Sequence, residues 1–198
     1  KWHSVFALHN KKNQGSIQFF DKYGVAVHKV FTTTQTDFTA FEQLVERFKV
    51  QQQDAQLSVT APAIVVDERK ALAEIDIQGF REGWKSLQDV HHFPGLLTKF
   101  AVSRTQGLEI AGEQWAQEVS PNCLTDVFEA VREQQSELMI FVNNHAAVQI
   151  YSGTLTNLKQ VGPWYNVLDN NFNLHVKSQQ FSRAFVVKKP TDNGDTFV

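Results

Sequence analysis

Large apolar residues alternate with polar ones from Trp2 to His9. Ser16–Phe20 and Val25–Phe31 read as two further strands, with turns at Gly15 and over Asp21-Lys-Tyr-Gly24. A period of two sends successive side chains to opposite faces, so these stretches predict an antiparallel meander. At Asp37 the period changes. Phe38, Phe41, Leu44, Val45 and Phe48 recur at helical spacing with charges between them, which predicts a helix capped by Asp37 and packed on the meander. Residues 51–73 keep neither period. They are polar, broken by Pro62 and interrupted by Ala63-Ile-Val-Val66, and read as a connector with one short strand.

Helical spacing resumes over Ile75–Leu87 and His91–Phe100, and a shorter helix is expected near Leu108. Ser120 followed by Pro121 has the cap-then-proline form of a helix start, with Leu124, Val127, Phe128 and Val131 as its buried stripe. Beyond Glu137 the chain reads as sheet: Leu138–Val142, a turn at Asn143-Asn144, then Ala146–Thr156, Phe172–Val176 and Phe181–Val187. Helices followed by antiparallel strands predict the α+β class.

Two distant stretches also match each other. Trp2–Gly15 and Phe181–Gly194 each contain an aromatic, a second aromatic four residues on, two apolar residues, a polar turn and a glycine. The offset from Trp2 to Phe181 is 179 residues, which predicts a tandem structural repeat, each copy an antiparallel β-sheet flanked by helices. On this reading 1–50 closes a first repeat, 51–73 connects, and 74–198 forms a second repeat, helical first and then sheet.

Composition narrows the classes. With 42% hydrophobic residues and 16 phenylalanines in 198 positions, the chain can bury a substantial core. A net charge of −2 with scattered Lys and Arg gives no basic stripe for a nucleic-acid backbone. No apolar run approaches the length of about 18 residues that a membrane span needs, and Lys1-Trp-His-Ser-Val-Phe6 has no signal-peptide layout, so no membrane insertion is expected. The single Cys123 leaves no internal disulfide and no cysteine zinc cage, which fits a reducing cytoplasm.

Nucleotide and hydrolase motifs are absent: there is no Gly-rich loop opening a helix, no Walker-type lysine, no His-Glu-x-x-His and no Gly-x-Ser-x-Gly. Glu42 and Glu46, four apart on the Asp37 helix, read as a solvated face. His3, His9 and His28 fall on predicted strands, as does His175, and each reads as structural. His91 differs. It lies in Trp84-Lys-Ser-Leu-Gln-Asp-Val-His91-His92-Phe93-Pro-Gly-Leu-Leu97, among large apolar residues and just before a Pro-Gly break. Such an imidazole suits an axial ligand to a metal in an apolar pocket, haem iron being the commonest case. A helix-start histidine satisfied by backbone is the competing reading.

Around this block the chain resembles the HemS/HmuS/ChuS family of bacterial haem-utilisation proteins. The resemblance is carried by Ser16-Ile-Gln-Phe-Phe-Asp21, the Trp84–Leu97 block, Met139-Ile-Phe-Val142, Val148-Gln-Ile-Tyr-Ser-Gly153, Gly162-Pro-Trp164, Phe172-Asn-Leu-His175 and Lys188-Lys189-Pro190-Thr191. It implies a two-repeat protein of which this chain resembles the central part. His91 becomes the proximal iron ligand, with His92 its nearest competitor. Lys189 becomes the partner of a haem propionate, a solvated turn lysine being the alternative. The family's distal arginine would precede Trp2, and further propionate ligands would follow Val198. His145 stands where the family carries arginine, so no role is assigned there.

The function so implied is a cytoplasmic haem-binding protein of bacterial haem-iron utilisation, with Leu87, Phe93, Leu96 and Leu97 enclosing the porphyrin. In an enzymatic version the bound haem is degraded with O₂ and a reductase partner, freeing iron. In a carrier version it passes to an acceptor protein, with His91 and His92 exchanging as ligands. A third reading is a duplicated α+β interaction module in which His91 is structural.

Overall fold

The computed structural model describes residues 2–10, 12, 14–53, 57–61 and 69–198; Pro62 and the strand expected at Ala63–Val66 lie outside the described residues. In chain order the strands are β1 (Ser4–His9), β2 (Gly15–Phe20), β3 (Ala26–Phe31), β4 (Ala116–Val119), β5 (Leu138–Asn143), β6 (Val148–Gly153), β7 (Leu158–Val161), β8 (Trp164–Asp169), β9 (Phe172–Val176), β10 (Ala184–Thr191) and β11 (Gly194–Phe197). The α-helices are α1 (Phe38–Phe48), α2 (Ile77–Lys85), α3 (Phe93–Phe100), α4 (Arg104–Ala111) and α5 (Leu124–Glu133). All strand pairs with a resolved register are antiparallel, as the α+β reading requires. The chain divides into two compact units, residues 1–64 with 139–152, and residues 65–138 with 153–198.

In the first unit β1, β2 and β3 form the expected meander. The register sets Val5, Phe19 and His28 side by side, and Trp2 lies 4.3 Å from Phe19 and 6.3 Å from His28. His28 is therefore one ring of an aromatic stack. Asp37 caps α1 by accepting from the Ala40 amide, and Phe41 is buried. The ring of Phe41 comes so close to β2 that a Cβ at Gly15 would lie 2.9 Å from it, which requires glycine there. The turn between β5 and β6 is closed by Asn144, whose Oδ1 accepts from the Ala146 and Ala147 amides. Its Nδ2 donates to the Val27 carbonyl at 2.8 Å, tying the hairpin to the meander.

The second unit holds the main core. Phe80, Trp84 and Phe93 have at most 1% exposure and pack with Leu96, Leu97, Ile110 and Val187. Burying each large apolar side chain contributes about 1.5–3 kcal/mol. Asp76 caps α2 through the Gly79 amide. The single helix expected over His91–Phe100 is divided: Val90–His92 form a 3₁₀ turn capped by Asp89, and α3 follows with Pro94 in its first turn, where a missing N–H costs nothing. Helix α4 falls where a helix near Leu108 was expected. Gly107 lets it approach α3, since a Cβ there would lie 2.5 Å from Leu97 Cδ2.

Several boundaries differ from the sequence reading. Helix α5 begins at Leu124 rather than at Pro121, because the Ser120 hydroxyl accepts from the Asn122 amide in a local turn and leaves Cys123 at the cap position. Strand β4 was not anticipated. Its Ala-Gln-Glu-Val sequence has no strand period, and it is extended by pairing with β10, from Ala184↔Val119 to Val187↔Ala116. Strands β7 and β8 were also missed. On β8 Asn166 is buried between buried Tyr165 and Val167, so no apolar alternation is visible; its Nδ2 is satisfied by the Lys159 and Trp164 carbonyls. Phe128 of α5 covers Tyr165 on this sheet, 6.2 Å between rings.

The two matching stretches each form a hairpin, but the polar turn expected at Lys188-Lys189-Pro190 is instead part of β10, which runs to Thr191. Gly15 opens β2 after β1, and Gly194 opens β11 after β10; the intervening turn is longer in the first, where His9 pairs with Gly15, than in the second, where Thr191 pairs with Gly194. Among the described residues no helix is long and apolar enough to cross a membrane.

Candidate functional site

A 3₁₀ turn has about three residues per revolution, so Val90 and Phe93 share one face and His91 and His92 occupy the others. Phe93 turns into the core at 1% exposure, and Val90 is half-buried. The His91 side chain is left 89% exposed. The expected apolar pocket around His91 is thereby corrected: Leu87, Phe93, Leu96 and Leu97 are core residues packed on Trp84, not the lining of an open cleft. Helix formation at Phe93 commits those side chains inward and the two imidazoles outward.

His91 is nevertheless held. Asp89 Oδ1 lies 2.7 Å from the His91 backbone nitrogen and 2.6 Å from its Nδ1. The backbone N–H of His91, and then its ring N–H, keep the Asp89 carboxyl below the ordinary aspartate range. An ionised carboxylate only accepts, so Nδ1 carries the proton and the Nε2 lone pair is left free on an exposed ring. The His92 ring has no hydrogen-bond partner among the described residues; its backbone N–H donates to the Asp89 carbonyl at 3.0 Å.

Lys189 sits on β10, two residues after buried Val187 and on the same face. It is 8% exposed, and its Nζ stands 4.6 Å from the centre of the Phe93 ring. Its neighbour Lys188 faces the other way and pairs with Asp195 at 2.6 Å. Lys189 has no carboxylate partner among the described residues. Burial and the nearby Arg104 charge both push its ammonium below the ordinary lysine range. Arg104, at the start of α4, has its guanidinium 5.4 Å from the same Phe93 ring. Two cations thus converge on the ring that follows the His91 turn. The segments are further joined where the Asp192 amide donates to the Gln88 carbonyl at 3.0 Å.

Arg104 was missed by the sequence reading. Its local setting, after the Ser103 cap, is that of an ordinary helix start, and only the fold carries it to Lys189. His145 belongs to the other unit, where its Nε2 lies 3.2 Å from the buried Asp21 carboxylate. His175 Nδ1 meets Asn166 Oδ1 at 2.6 Å, and the His9 ring packs on Phe38. Among the described residues no group of three or more His, Cys, Asp or Glu could hold a metal ion. A groove lined by Arg81, Glu109, Glu118 and Arg183 is spanned by ion pairs, Arg183 being engaged by both Glu109 and Glu118.

The chain matches the haemin-degrading HemS.ChuX domain over residues 1–48 and 101–197, stretches that include Lys189 and Arg104 but not His91. It is 33% identical to the hemin transport protein HmuS of Yersinia pestis over 98% of this chain and 56% of that protein. Its fold superposes on holo-PhuS, a haem-binding protein from Pseudomonas aeruginosa, with a TM-score of 0.91 and 41% identity, covering 99% of this chain and 57% of the other. ChuS, an E. coli haem oxygenase, gives a TM-score of 0.81 at 29% identity, covering 100% of this chain and 58% of that one. The chain spans a little over half the length of the relatives it matches.

Proposed function

The chain belongs to the family of the haemin-degrading HemS.ChuX domain, and we propose that it binds haem in cytoplasmic haem-iron utilisation, with His91 as axial iron ligand and Lys189 as partner of a propionate. The observation that carries this reading is Lys189. An ammonium buried against the Phe93 ring with no counter-charge among the described residues, beside a second cation, is unfavourable, and a carboxylate-bearing ligand offsets that through charge-assisted hydrogen bonds. Arg104 is the second propionate donor. Haem supplies a flat apolar surface, two carboxylates and an iron with open axial positions. Against it, His91 contributes one oriented imidazole nitrogen and the Phe93 neighbourhood contributes the cations. A lone free cysteine agrees with a reducing compartment.

In this reading haem is the substrate, its ring oxidised by O₂ with electrons supplied by a reductase so that iron is released. A carrier that delivers haem to an acceptor protein is the second reading, favoured by the 89% exposure of His91, since a surface imidazole is easily exchanged for another ligand. The test is a hemin titration followed by visible absorption on wild type, His91→Ala and His92→Ala. Saturable one-to-one binding lost in His91→Ala alone is the expected result; equal, unsaturable signals in all three would reject the site. Adding reductant with catalase present then separates the two roles. A vanishing Soret band supports degradation, and a persistent one supports carriage.

A further inference from the structure

We propose that Asp89 is the positioning residue for His91: it holds the imidazole in the tautomer protonated at Nδ1 and so presents Nε2 to the iron. The inference rests on the haem-binding reading and extends it from the ligand to the group behind the ligand. One oxygen, Asp89 Oδ1, meets both the His91 amide and His91 Nδ1, at 2.7 and 2.6 Å. The same atom therefore fixes the backbone of the turn and the rotation of the ring, before any ligand arrives. Nothing else does so, because the His91 ring makes no other hydrogen bond among the described residues. Asp89 is itself anchored, since the preceding Gln88 carbonyl accepts from Asp192 at the tip of the β10–β11 hairpin.

Three consequences follow for an iron ligand. A neutral histidine in water rotates freely and prefers the Nε2–H tautomer, and the carboxylate at Nδ1 fixes the ring and reverses that preference. A negative partner on Nδ1–H raises the basicity of Nε2, which strengthens its bond to ferric iron more than to ferrous iron. His92 lacks such a partner, so the carboxylate distinguishes two adjacent histidines that the sequence leaves equivalent.

A plain capping role for Asp89 would need only the bond to the His91 amide, and Asp89→Asn keeps that acceptor while removing the charge. The haem-free chain is examined first by ¹⁵N NMR of the imidazoles at about pH 8, where a histidine is neutral. Wild type is expected to show His91 protonated at Nδ1, and Asp89→Ala to show it shifted to the Nε2–H form. In the hemin-loaded chain Asp89→Asn should lower haem affinity by about 10–100-fold and move the iron reduction potential to a more positive value, with the haem-free unfolding temperature unchanged. A wild-type His91 already in the Nε2–H form overturns the proposal. So does an Asp89→Asn protein with unaltered affinity and potential. If wild type binds no hemin while the Nδ1 proton still depends on Asp89, the positioning role stands and the haem reading falls.

Discussion

The Trp84 indole N–H donates to the carbonyl oxygen of Lys188 at 3.0 Å, so the residue beside Lys189 is held by a side chain with no exposure. The same indole meets the Phe93 ring edge to face at 4.9 Å. One core residue of α2 thus touches both β10, which carries Lys189, and the start of α3, which follows the His91 turn.

Trp84→Phe keeps most of the packing but leaves the Lys188 carbonyl without its donor. Stability should fall by about 1–3 kcal/mol, the cost of a buried polar group left unpaired. Trp84→Ala adds a cavity and should cost about 3–5 kcal/mol. Urea denaturation checks both, with a shifted midpoint and an unchanged m-value for the phenylalanine variant.

Lys189→Met retains the length of the stem and removes the charge. Hemin affinity should drop by about 10–100-fold, the equivalent of a hydrogen bond to a charged group, while the haem-free protein loses no stability because an unpaired buried ammonium disappears. Hemin with esterified propionates gives the complementary measurement. Wild type should lose at least a similar factor toward the ester, and Lys189→Met should distinguish ester from acid less, keeping only the share that Arg104 contributes; equal discrimination by both proteins would remove Lys189 from the site.

Glu109 sits between Arg69 and Arg183. Burial pushes its carboxyl up, but hydrogen bonds and charge from the two arginines outweigh burial and hold it below the ordinary glutamate range. The folded chain therefore releases this proton more readily than the unfolded one. The stabilisation is complete above the unfolded value of about 4.3 and is lost as pH falls through the lower folded value. Glu109→Gln should be less stable at neutral pH and show a flatter decline in acid, read from urea midpoints across that range. A variant with the wild-type acid slope would show that Glu109 contributes nothing to it.

Gly107→Ala drives a methyl group to within 2.5 Å of Leu97 Cδ2 and 3.3 Å of the Phe80 ring. Although alanine is the better helix former, overpacking between α4 and its neighbours should dominate and destabilise by about 1–3 kcal/mol. A thermal midpoint at or above wild type would mean that Leu97 has room to move aside.

Much of the fold was legible because the periods were local. Asp37 before a run of phenylalanines at helical spacing gave α1 and its cap, and short strand-like runs bounded by Gly15 and Asp21-Lys-Tyr-Gly24 gave β1, β2 and β3. The failures differ in kind. Strand β4 is extended by its partner β10 rather than by its own residues, and β8 hides its period behind Asn166, a polar side chain satisfied by the sheet. Ser120 carried a cap signature but used its hydroxyl one turn early.

For the candidate site, the sequence by itself determined the chemical parts: an Asp-x-His stretch beside Phe93, and a lysine that read as part of a polar turn and that the structure places in β10. It could not determine what surrounds them. Whether an imidazole among apolar neighbours points inward or outward depends on where a 3₁₀ turn gives way to a helix, and the core claimed Phe93 while leaving His91 in solvent. That Lys189 is buried without a counter-charge, and that Arg104 stands beside it, follows from β10 and α4 packing around one aromatic ring. Local sequence sets which groups exist and which period they follow; burial and the pairing of charges arise only between segments distant in the chain, and only the tertiary structure decides them.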